Sequence, residues 1–146
     1  MIRSSVLVVF ACAALSLTAC KGKVEQCNAF IDRANQSQGV INGLQLDTDD
    51  PKKLDIDATK IDGEATSVAA VKLEDQKLLK FRDDYAGNLK KLAGNVRELS
   101  KLQNDSRAGK ASIATEAKKI EEDANKVEKD ESKLVNDINS YCTGSP

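Results

Sequence analysis

Histidine and tryptophan are both missing from this 146-residue chain, which has one methionine, two prolines, three phenylalanines and two tyrosines. Without histidine there is no Ser-His-Asp triad, no histidine ligand for haem and no Glu-x-x-His pair of the kind that builds di-iron bundle sites. Charge of one sign is not in excess either. Lysine and arginine number 22 against 23 aspartates and glutamates, a formal net charge of −1, so nothing draws the chain to nucleic acid. The longest apolar stretch, Val6 to Cys20, falls short of the ~20 residues a membrane-crossing helix needs, and Lys21-Gly22-Lys23 follow it at once. Few aromatics beside abundant Ala, Lys, Leu, Asp and Glu favour helices and argue against a β-barrel or sandwich.

The first residues have the layout of a secretion signal: Arg3, an apolar run from Val6 to Leu17, then small residues leading to a cysteine. Leu17-Thr18-Ala19-Cys20 resembles the lipobox of bacterial lipoproteins. The resemblance implies that residues 1–19 are a signal peptide removed by the lipoprotein signal peptidase and that Cys20 carries lipid on its sulfur and on its new amine. Val9-Phe10-Ala11-Cys12 is a poorer match, with bulky Phe10 in the wrong place. The competing reading is an ordinary cleaved signal and a periplasmic or secreted protein. In Gram-negative lipoproteins an Asp directly after the lipidated Cys favours retention at the inner membrane. Here Lys21 stands there, so the resemblance implies the outer membrane. Two or more acyl chains anchor a protein stably, each buried methylene contributing ~0.8 kcal/mol.

With Cys12 removed and Cys20 lipidated, two thiols remain, Cys27 and Cys142. In an oxidising envelope they are expected to pair, the alternative being two buried free thiols.

Four stretches carry apolar side chains at alternating steps of three and four. They are Val24, Cys27, Ile31, Ala34, Gln38 and Ile41; Leu54, Ala58, Ile61, Ala65 and Val68; Leu78, Tyr85, Leu89, Leu92, Val96 and Leu99; and Ile113, Ala117, Ile120, Ala124, Val127, Glu131, Leu134, Ile138 and Tyr141. The last reads as a long helix with a coiled-coil-like seam. Helices are expected at about 24–46, 51–70, 75–103 and 109–142, with 20–23 as a tether and 143–146 as a tail. Asp50 suits an N-cap and Pro51 a first helical position, and Asp75 can cap the third helix. The boundary at 71–75 decides the helix count. An even number of helices with short loops brings Cys27 and Cys142 to one end, and an odd number holds them apart. The expected fold is therefore all-α, an antiparallel up-down four-helix bundle closed by a disulfide between its first and last helices. In that register Gln38 falls level with Glu131, which suggests a paired polar layer in the core. Gly39, Gly43, Gly63, Gly87 and Gly94 lie inside helical patterns, either to admit a neighbouring helix or at a cost of ~1 kcal/mol each where exposed.

Chemistry is hard to find. Catalytic and cofactor-binding residues are expected to be none. Carboxylates could cleave glycosidic bonds beside the cell wall, but they are spread over helix faces. The acidic run Asp47, Asp49, Asp50, Asp55, Asp57 and Asp62 invites a calcium reading, yet Lys60 stands where an EF-hand needs glycine, and no metal ligands are assigned. The third and fourth helices outlast the others, so Leu99, Leu102 and Ile113 are expected on a projecting hairpin as a partner surface. The functional expectation is a non-catalytic, membrane-anchored envelope lipoprotein serving as scaffold or protein-interaction module. The alternative is a periplasmic binding or inhibitor module for an envelope enzyme or small ligand, with a cell-wall enzyme third. The expected partners are the membrane, through lipid on Cys20, and an envelope protein, and nucleic acid is not expected.

Overall fold

Helix capping organises the middle of the chain. Asp50 accepts from the backbone N–H groups of Lys52 and Lys53 ahead of Pro51, and Asp75 accepts from Lys77 and Leu78, both at 2.9 Å. Each carboxylate satisfies donors that the first helical turn leaves without partners. The computed structural model describes residues 11–44, 49–109 and 113–144, with side chains from residue 22 on. Among these the chain forms a helical bundle of four helices and no strand: α1 (Ala11–Asn42), α2 (Pro51–Ala69), α3 (Gln76–Arg107) and α4 (Ile113–Thr143).

The bounds depart from expectation at four ends. Residues 20–23, expected as a tether, are helical: α1 runs from Ala11 to Asn42 through Gly22 and Gly39, with no proline to interrupt it. Its last turn closes by Gly43 N–H donating to the Gly39 and Val40 carbonyls, so α1 stops at Asn42 instead of 46; residues 45 and 46 lie outside the described residues. Asn104-Asp105-Ser106, expected in a loop, continues α3. Polar residues do not end a helix by themselves. What ends this one is Gly109, whose φ of 74° is left-handed backbone that glycine adopts without strain. The fourth helix begins at Ile113, not 109; residues 110–112 lie outside the described residues, as do residues 1–10 of the expected signal and the tail residues 145 and 146.

The break at 71–75 is a loop, and it is pinned from three directions. Gln26 of α1 accepts from Glu74 N–H (2.6 Å) and Asp75 N–H (3.0 Å), Arg82 Nη1 donates to the Val71 carbonyl (3.0 Å), and the Tyr141 hydroxyl donates to Asp75 (2.9 Å). Cys27 and Cys142 are joined by a disulfide with Cα atoms 5.8 Å apart, tying α1 to α4.

The core is centred on α2 and α3. Leu54, Ala58, Ile61, Ala65 and Val68 are all buried, meeting Leu78, Phe81, Tyr85, Leu89, Ala93 and Val96 of α3; α4 adds Leu134 and Ile138. Each large side chain so buried contributes about 1.5–3 kcal/mol. Polar contacts bind α2 to α3 at Arg97–Asp62, at Ser100 Oγ to the Pro51 carbonyl (2.9 Å) and at Arg107 to the Asp49 carbonyl. The first helix is turned differently from its expected seam. Phe30 and Ser37 are fully buried, while Val24 is 54% exposed. Arg33 and the Ser37 hydroxyl both engage Glu64 of α2, the latter at 2.9 Å, which draws that face of α1 toward α2. A Cβ built on Gly39, Gly63, Gly87 or Gly94 meets nothing within 4 Å, so none of these glycines admits a close helix approach.

Candidate functional site: a groove between the first and last helices

Because α1 leans on α2, it meets α4 over only a short length near the disulfide. A cavity of about 530 Å³ opens between them, in the size range of small-ligand sites. Its apolar wall is Phe30, Ile31 and Ala34 from α1 with Val135 and Ile138 from α4, and Tyr85 of α3 reaches it from below. Phe30 and Tyr85 meet edge to face, ring centroids 6.4 Å apart. Around the apolar wall stand the amides of Asn35, Gln38, Asn136 and Asn139 and the carboxylates of Glu128 and Glu131.

Gln38 and Glu131 therefore border the same cavity, but they do not form a bonded pair. Gln38 donates to Asn42 (3.1 Å) and accepts from the Tyr85 hydroxyl, whose contacts to Gln38 Oε1 and the Ala34 carbonyl are long at 3.4 Å. Glu131 is half-buried and takes part in no hydrogen bond or ion pair among the described residues. Burial pushes its carboxyl above the usual range, helped by the like charge of Glu128. The Tyr85 phenol, 3% exposed, is pushed up to about 12, first by burial and then by the charge of Glu131.

A second polar cluster lies at the disulfide end. Phe81 and Tyr141 pack edge to face at 5.8 Å, and the ammonium groups of Lys23 and Lys77 sit over the Tyr141 ring at 3.7 and 4.5 Å. Asp75 is held below the ordinary carboxylate range by its bond from Leu78 N–H, and further by the Tyr141 hydroxyl. This cluster fastens the end of α4 to the start of α3.

The remaining expected sites are scattered. Cys20 lies in α1, its side chain outside the described residues. Leu102 is 5% exposed and Leu99 and Ile113 are half-buried, which corrects the expectation of an open apolar hairpin there. The physical reason is that α2 begins beside the far end of α3, where Ser100 and Arg107 hold the Pro51 and Asp49 carbonyls. The acidic run is dispersed as well. Asp50 caps α2, Asp57 is buried with Lys53 (2.6 Å) and Lys60 (3.1 Å) and held low chiefly by the bond from Lys53, and Asp62 pairs with Arg97. Asp47 lies outside the described residues. No three His, Cys, Asp or Glu side chains among the described residues converge as a metal site. Nor is any helix of the described residues long and apolar enough to cross a membrane.

Phe30, Asn35, Tyr85 and Glu128 of the groove belong to no motif that marks them as site residues in the sequence. Phe30 is the accessible signal, the only aromatic residue between Cys27 and Ile41. No family model, curated protein or solved structure matches the chain.

Proposed function

We propose that this protein is a lipoprotein of the bacterial envelope, held through lipid on Cys20 at the outer rather than the inner membrane, whose folded part is a non-catalytic helical module that engages a partner. The observation that carries the reading is Leu17-Thr18-Ala19-Cys20 closing an apolar run. The Cys27–Cys142 disulfide supports it, since such bonds persist in oxidising compartments. For the helix order we propose an antiparallel up-down bundle. Supporting it, contacts from Arg82, Arg97, Ser100 and Arg107 reach Val71, Asp62, Pro51 and Asp49 in turn, rising along α3 and falling along α2.

With the α3 end covered, the groove between α1 and α4 is the better candidate surface. It favours a second reading, a binding or inhibitor module for an envelope enzyme or small ligand. The anchor is tested by labelling cells with palmitate and fractionating their membranes. The chain is expected to take up label and sediment with outer membranes, and Cys20→Ala to lose both. An alanine variant that stays membrane-bound would contradict the anchor. Cross-linking in intact envelopes then separates the readings. A stoichiometric protein bound away from the groove supports the scaffold, one bound in the groove supports the second reading, and turnover of purified peptidoglycan would move the assignment to an enzyme.

A further inference from the structure

We infer that the groove between α1 and α4 is a binding site for a small organic cation, an amine carried on an apolar or aromatic body. The inference rests on the groove serving as a binding surface and not on the anchor.

Charge complementarity selects the ligand. Two carboxylates, Glu128 and Glu131, line the cavity, and no lysine or arginine does, although the chain as a whole is nearly neutral. Three acids buried or half-buried against neighbouring helices are matched: Asp57 has two lysines, Glu64 has Arg33 and Ser37, and Asp75 has Tyr141 and two backbone donors. Glu131 has no such partner, and the charge that acts on it is the like charge of Glu128. A partly desolvated carboxylate without a partner is costly, and a cation delivered to it recovers that cost.

The wall sets the rest of the ligand. Ile31, Ala34 and Val135 offer apolar surface in the same cavity as the acids, backed by the buried Phe30 and Tyr85 rings. An inorganic cation would leave that surface unused, and an anion would meet two negative charges. An ammonium on an apolar body satisfies both parts of the cavity, with the Gln38 amide, which accepts from the buried Tyr85 hydroxyl, among the polar groups lining it. A cavity of about 530 Å³ has room for such a molecule.

Three probes of similar shape and different charge test it: phenethylamine, neutral 2-phenylethanol and anionic phenylacetate, each titrated into the ¹⁵N-labelled full chain while the side-chain amides of Asn35, Gln38, Asn136 and Asn139 are followed by NMR. The amine is expected to shift them saturably, the alcohol about tenfold more weakly and the acid not at all. Glu131→Gln should weaken the amine about tenfold while leaving the alcohol unchanged, with the helical circular dichroism spectrum as the check on folding. Equal response to amine and acid, an amine response indifferent to Glu131→Gln, or silence of all four amides at 10 mM amine would overturn the proposal. The cross-linking result distinguishes the wider failure. A partner protein seated in the groove keeps the groove as a surface and removes the small cation, whereas a groove that contacts nothing removes both.

Discussion

Reducing the Cys27–Cys142 bond should cost this protein at least about a third of its stability. The two cysteines are 115 positions apart, and freeing a loop of that length in the unfolded chain corresponds, by the chain-entropy relation, to about 5 kcal/mol at 25 °C. A domain of this size is stable by about 5–15 kcal/mol in all, and unfolds with an entropy that converts this loss to a fall in Tm of roughly 20 °C. The packing makes the loss local as well as global. The first helix contributes Cys27 and Phe30 to the core but meets α3 and α4 sparingly, so without the bond it is the element with least to hold it. The assay is a thermal melt by circular dichroism on oxidised and fully reduced wild-type protein, which compares identical side chains, with mass spectrometry confirming reduction of the buried Cys27. Hydrogen exchange in the reduced state should show α1 losing protection before α2 and α3. A Tm lowered by less than about 5 °C, or uniform loss of protection, would refute the reasoning, since it would mean that the unfolded chain is already compact or that α1 is held by packing alone.

Phe30→Ala should lower stability by about 3–5 kcal/mol, and Val24→Ala by less than about 0.5 kcal/mol, because the first is fully buried and the second 54% exposed; denaturant melts reading both in the same buffer check this. Asp75→Ala should cost about 1 kcal/mol for the lost cap, with more for the stranded Tyr141 hydroxyl. As the native carboxyl is held below its ordinary 3.8, its contribution is complete above about pH 5 and disappears as pH falls through the native value, so wild type and Asp75→Asn should converge in acid melts. Glu131 has the opposite sign. With its native pKa above 4.5, it costs stability as pH rises through that range, so Glu131→Gln should melt higher than wild type at pH 7.5 and equal to it near pH 4. Gly63→Ala should raise stability by about 1 kcal/mol, because an added Cβ there meets nothing within 4 Å and the site is exposed on a helix.

Where a helix packs through one apolar stripe, its sequence discloses the buried face. The stripe from Leu54 to Val68 is buried throughout, and the pairing of Cys27 with Cys142, the two cysteines outside the signal-like segment, is present as expected. The first helix is the instructive exception. It has two overlapping stripes, one through Val24, Ile31 and Gln38 and one through Phe30 and Ser37, sharing Cys27, Ala34 and Ile41. Counting apolar positions favours the former. Its actual orientation is decided by Glu64, on a different helix, accepting from Arg33 and Ser37, and a pattern confined to one helix does not contain that partner. The same limit hides the helix ends at 104–107, where the polar residues fit a loop or a helix equally well until Gly109 terminates it.

That orientation and the groove are one phenomenon. Turning Phe30 and Ser37 inward leaves Ile31, Ala34, Asn35 and Gln38 as the more exposed side chains α1 presents at the cavity, three of them short or polar. Across from them α4 has interrupted its own seam with Glu131 and flanks it with Glu128 and Ser132. Closing the gap would strip water from a carboxylate with no cation to receive it, and would bring only a few apolar side chains together in return; the desolvation cost of an unpaired charge outweighs their burial. The disulfide at one end keeps the helices from parting, and the charge at Glu131 keeps them from meeting. A seam residue that looks like a flaw in the heptad pattern is thus what maintains an open, acid-lined cavity in an otherwise packed bundle.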